Sequence, residues 1–183
     1  MAGPVVAAAV VLRPEHRLGG VDDSKRLTPD ERARLFDEIQ RHAAGIAVGI
    51  IDAATIDRIN ILEATKLAMG LALQGLTEEP ELVLIDWVEL AGLPYPQRNL
   101  VRGDQRSATI AAASIVAKVT RDRIMEDADR EFPQYGFGRH KGYATEEHRL
   151  TLAKHGPCPL HRRCFQRVAG LMQQELFEWS EEQ

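Results

Sequence analysis

The chain has 183 residues, 44% hydrophobic and 27% charged, which excludes a disordered chain and suits one soluble domain with a sizeable core. No apolar run approaches the roughly 20 residues a membrane span needs. The apolar start, MAGPVVAAAVVL, has no basic leader and no clear cleavage site, so a cytoplasmic protein without a signal peptide or membrane partner is expected; a monomer is the expected state. The net charge of −4 argues mildly against a nucleic-acid partner.

Residues 5–12, VVAAAVVL, read as a buried strand, and GGVDD (19–23) as a turn. Thr28-Pro29-Asp30-Glu31 predicts a helix start, with Thr at the N-cap, Pro first and Glu three residues after the cap. Leu35, Phe36 and Ile39 then form one apolar stripe. IAVGII (46–51) is a second strand. Asn60 is expected to open a helix whose apolar positions recur at helical spacing through residue 76.

LVLID (82–86) reads as a third strand, its apolar run predicting burial on both faces. It ends on Asp86, followed by Trp87. A carboxylate at the mouth of a buried strand is costly unless paired, solvated or holding a metal; a plain turn residue is the alternative. RNLVRGD (98–104) predicts a short strand and residues 107–132 one long helix, with alanines at 108, 111, 112, 113 and 117 for close packing. Thr145 caps a further helix that Gly156 ends. Strands first and helices later predict an α/β layer fold, part of its sheet a β-meander, in a single domain over 1–183 with a helical C-terminal extension from about 140.

Asp104 is the first partner for Asp86, since it follows a short strand and precedes a helix. Two strand-end carboxylates repel unless a cation lies between them, and such oxygen ligands suit Mg²⁺ or Mn²⁺. Arg102, Arg106, Ser107, Lys118 and Arg121 are fit to contact phosphate. Metal plus phosphate donors points to phosphodiester hydrolysis. The rival signatures GxxxxGK[ST], GxSxG, HExxH and GxGxxG are all absent. Residues 139–167 hold seven Lys/Arg against two acids, and four of the six histidines. Such a basic stretch can bind phosphate on an acidic protein. A solvated surface is the other reading. Cys158 and Cys164 are expected to be reduced thiols, since their spacing around His161 is not a convincing zinc pattern.

DDSKRL (22–27), the Asp86 strand, RGDQRSATIAAASIVAKVTRDR (102–123), YGFGRHKGYATEEH (135–148) and GPCPLHRRCF (156–165) occur in an order and at separations that closely resemble ribonuclease HII, the bacterial type 2 ribonuclease H. The resemblance implies an RNase H-like mixed sheet flanked by helices. It implies an endonuclease cutting the RNA strand of RNA–DNA hybrids and at ribonucleotides embedded in duplex DNA. It implies Mn²⁺ or Mg²⁺ bound by four acidic residues, the third and fourth matching Asp86 and Asp104. Tyr143 matches the tyrosine that stacks on the sugar beside the ribonucleotide, and Lys25, Ser107, Arg121 and Lys141 lie in motifs bordering the nucleic-acid groove. Packing or surface roles are the alternatives for Tyr143 and Lys25.

The resemblance also marks two departures. The family's Asp-Glu pair and Gly-Arg-Gly turn, which reads the ribose 2′-hydroxyl, precede the segment that here begins AGPVV. Without them and the central first strand, the chain as written is expected to fold marginally and to be inactive. Trp87 stands where the family usually has glycine, and the sequence leaves its indole against the scissile phosphate, on a base or in the core. Two rival functions stay open: a degenerate protein that binds hybrids without cutting, and a metal-dependent hydrolase of small phosphate esters.

Overall fold

The computed structural model describes residues 1–13, 15, 27–166 and 168–170. The expected turn at 19–23, Lys25 and the acidic C-terminal tail lie outside the described residues. In chain order the elements are β1 (Val5–Leu12), α1 (Pro29–His42), β2 (Ala43–Ile51), α2 (Ala53–Gln74), β3 (Val83–Asp86), β4 (Gln97–Leu100), α3 (Ala108–Glu131), α4 (Phe137–His140) and α5 (Glu146–His155). They fall into two compact units. One comprises residues 6–50 and 65–120, the other residues 1–5, 51–64 and 121 onwards.

In the first unit, β1 pairs with β2 and β3 with β4. Thr28 caps α1 as its sequence predicts. Its hydroxyl accepts from Glu31 N–H, and the Glu31 carboxylate accepts from Thr28 N–H at 2.8 Å. That box fixes where the helix begins, so Leu35, Phe36 and Ile39 all turn inward. They pack with Val10 of β1 and with Ala112, Ile115 and Val116 of α3. Gly49 lets β2 approach α2 closely, for a Cβ there would lie 1.9 Å from the Ala68 carbonyl oxygen.

The expected burial of β3 on both faces is corrected. Its burial alternates: Val83 and Ile85 are buried, Leu84 is half-buried and Leu82 is 49% exposed. The strand therefore has one inner face, packed with Met69 and Leu73 of α2. A four-residue apolar run cannot report this, because apolar side chains also occupy half-open faces. β3 and β4 are parallel, with Asp86 opposite Leu100, so the expected meander does not lie between them. β4 is also shorter than expected, ending at Leu100 and giving way to a 3₁₀ turn at Gly103–Gln105.

In the second unit, Ala2, Met125, Ala128, Tyr135, Phe137 and Cys158 form one buried cluster. Chain residues 2–4 are held by two arginines. Arg121 donates to the carbonyls of Pro4 and Ala2, and Arg162 to those of Gly3 and Pro4. Thr145 caps α5 by accepting from His148 N–H, and Gly156 follows its last residue with φ +68. Asn60 caps a helix as expected, accepting from Leu62 and Glu63 N–H, but a preceding helical segment from Ala53 runs into it across a kink.

Candidate functional site

Asp86 and Asp104 belong to the same unit. Asp86 is the last residue of β3 and half-buried; Asp104 sits in the 3₁₀ turn after β4, also half-buried. The Gly103 N–H donates to Asp86 Oδ1 at 2.9 Å, fastening the Asp104 turn to the Asp86 carboxylate. A Cβ at Gly103 would lie 2.5 Å from Ile110 Cδ1 of α3, so that side chain or the turn would have to shift. Among the described residues no group of three or more His, Cys, Asp or Glu side chains is placed to hold a metal.

The residue after Asp86 has an unusual backbone. Val88 N–H donates to the Asp86 carbonyl at 2.8 Å, closing a three-residue γ-turn, and Trp87 at its centre has φ +67. Its side chain is 70% exposed, which excludes the core as the place for the indole.

The other sequence-predicted residues have varied settings. Ser107 directly precedes α3, its hydroxyl 3.5 Å from Ile110 N–H at the limit of a capping bond. In the second unit, the Lys141 ammonium donates to Glu126 Oε1 and to the Gly138 carbonyl, both at 2.6 Å. Arg121 spends two nitrogens on the chain at residues 2–4. Its Nη1 is buried with no hydrogen-bond partner among the described residues, and its guanidinium lies 5.1 Å from the Tyr143 ring centre. Tyr143 is 52% exposed and lines a cavity of about 660 Å³ with Arg121, Arg162, Ala144, Phe165 and Gln166. Burial, and then the neighbouring Arg121 charge, lower the Arg162 pKa to about 10. The Arg162 guanidinium lies 5.2 Å from the Phe165 ring centre, so both arginines add positive charge to this cavity's lining while their nitrogens hold the chain at residues 2–4.

A histidine network unforeseen from sequence holds the Gly142–Tyr143 segment. His140 Nε2 donates to Tyr135 O, so its Nδ1 is free to accept from Gly142 N–H. His148 Nδ1 donates to Tyr143 O at 2.8 Å. His161 Nδ1 accepts from Cys158 N–H, so its Nε2 donates to His148 Nε2 at 3.0 Å. The partners thus fix all three rings as neutral tautomers. Burial drives the His148 and His161 pKa values down to about 4. The crowding of histidines in 139–167 was the only sequence signal, and it says nothing about which rings meet.

The family profile described as Ribonuclease HII matches residues 1–168. Ribonuclease HII of Chloroflexus aurantiacus (strain ATCC 29364 / DSM 637 / Y-400-fl) is 56% identical over 172 residues, covering 91% of this chain and 81% of its own. That of Chloroflexus aggregans (strain MD-66 / DSM 9485) is 54% identical over 176 residues, covering 93% and 83%. The crystal structure of ribonuclease H2 from Pyrococcus horikoshii OT3 is similar with a TM-score of 0.83 at 25% identity, over 94% of this chain and 92% of that one. The mixed α/β architecture is that of the RNase H fold. With a family match across nearly all of its described residues, the chain belongs to the ribonuclease HII family, the divalent-metal-dependent type 2 ribonucleases H.

Proposed function

We propose that this chain, against the inactivity expected from its sequence, is an endoribonuclease that cuts the RNA strand of RNA–DNA hybrids, and duplex DNA at embedded ribonucleotides, using Mn²⁺ or Mg²⁺ held by Asp86 and Asp104. The observation that carries this reading is the fastening of the Asp104 turn to the Asp86 carboxylate at one end of the β3–β4 pair. Two carboxylates fit a hard cation that keeps most of its waters and takes further oxygens from a substrate phosphate. When bound, such a cation supplies Lewis acidity toward the phosphate and lowers the pKa of a water.

The chain's own residues do the rest. Gly103 orients the Asp86 carboxylate. Arg102 and Arg106, both exposed, offer phosphate donors next to it. In the second unit, Tyr143 offers a face to a sugar, with Arg121 beneath it. Ser107, Lys25 and Lys141 are further candidates for substrate contact, and Lys141 braces the turn before Tyr143 through Gly138 and Glu126. The same reading has the chain act as a cytoplasmic monomer. Among the described residues no helix is long and apolar enough to cross a membrane.

The test is cleavage of three end-labelled substrates with Mn²⁺, with Mg²⁺ and with EDTA: an RNA–DNA hybrid, a DNA duplex with one ribonucleotide, and a small phosphate ester. The expected result is metal-dependent cutting of the first two alone. Cutting of the ester alone, or binding of hybrid without cutting under any metal, would overturn the proposal.

A further inference from the structure

We propose that Trp87 is a substrate-contacting residue, its indole stacking on a nucleobase beside the phosphate that Asp86 addresses. The inference rests on the nuclease reading and names a contact at that site. Three observations carry it. First, Trp87 occupies the centre of a γ-turn with φ +67, a conformation that opposes a Cβ and that a bulky side chain rarely adopts. Glycine would sit there without strain. Second, nothing is recovered by packing, since the side chain is 70% exposed. A large apolar side chain that strains its backbone and packs on little is retained for something outside the fold, and backbone outliers of this kind gather at functional sites.

Third, the surroundings suit nucleic acid. Trp87 directly follows Asp86 at the C-terminal end of β3. β4 runs parallel in register, Asp86 facing Leu100, so Val101 leaves the same end of the pair and is itself 67% exposed. Arg102, also at positive φ, and Arg106 are exposed in the turn that Gly103 anchors to Asp86. An exposed aromatic residue and exposed arginines at the same end of a strand pair as a carboxylate combine the stacking and phosphate contacts that grip nucleic acid. The γ-turn's hydrogen bond closes on the Asp86 carbonyl and so holds the backbone at Trp87 directly against that of Asp86.

The strain gives the test its discrimination. Trp87→Gly removes the indole and relieves the backbone, so it leaves the melting temperature unchanged or raised. On RNA–DNA hybrid it raises KM roughly tenfold, as the loss of one base–aromatic stack implies, with kcat retained. Trp87→Phe keeps an aromatic face and holds KM within about threefold of wild type. In a Trp179→Phe background, hybrid quenches Trp87 fluorescence when titrated without divalent metal. An unchanged KM in Trp87→Gly, with wild type cutting hybrid, overturns the stacking contact and leaves the nuclease reading intact. A fall in melting temperature in Trp87→Gly, with no quenching in the parent, overturns it in favour of packing. Failure of wild type to bind or cut hybrid removes the nuclease reading and the contact with it.

Discussion

Asp86 and Tyr143 are the two residues on which the proposed cleavage turns. Asp86 is a strand-end carboxylate oriented by one backbone donor from the turn that bears Asp104. Asp86→Asn keeps the shape but halves the charge offered to a cation. Metal stabilisation of a transition state is worth several kcal/mol, so kcat/KM on hybrid should fall by at least about 100-fold. Tyr143→Ala should raise KM for a ribonucleotide-containing duplex by roughly fivefold, the low end for stacking because a sugar has no π-face. Retained affinity in a binding titration would show that the ring only packs. Both residues were singled out in the sequence by the motifs they lie in. The histidines around Tyr143 were not. His161 bonds to His148, which bonds to the Tyr143 carbonyl, and that chain of contacts joins residues whose separations carry no period.

Local chemistry made the elements legible where it was self-contained. α1 is the clearest case, since cap, first-turn Pro and apolar stripe all lie within twelve residues and need no tertiary information. Thr28→Ala should remove the bond that the hydroxyl accepts from Glu31 N–H, leaving the bond from the residue-28 N–H to the Glu31 carboxylate, and cost about 1 kcal/mol, read as a lower urea midpoint with an unchanged slope. A midpoint equal to wild type would show that packing of Leu35, Phe36 and Ile39 alone sets the helix start. β3 was less legible. Its run of apolar residues matches full burial, but Leu82 faces solvent, and only the partner of each face decides which apolar residues are covered. The parallel pairing of β3 and β4 was likewise hidden, because the ten residues between them give no clue to the direction of return.

Across the whole molecule, pH acts through the neutral imidazoles. His148 and His161 titrate near 4 in the folded protein against about 6.5 when exposed, because burial opposes their charged forms. The unfolded chain therefore binds protons first as pH falls. The stability that depends on these neutral rings is whole above pH 6.5 and is lost progressively as pH drops toward 4. Melting temperature should fall across that window, by about 2–4 °C for each ~1 kcal/mol lost in a chain of this size. A flat profile from pH 7 to 4.5 would mean the rings are not buried neutral. The central claim, that Asp86 and Asp104 together hold the catalytic cation, is tested most directly by titrating Mn²⁺ into wild type, Asp86→Asn and Asp104→Asn in a calorimeter, with hybrid cleavage measured on the same samples. The account predicts that each substitution weakens Mn²⁺ binding and abolishes cleavage. Unchanged Mn²⁺ affinity and undiminished cleavage in both variants would contradict it.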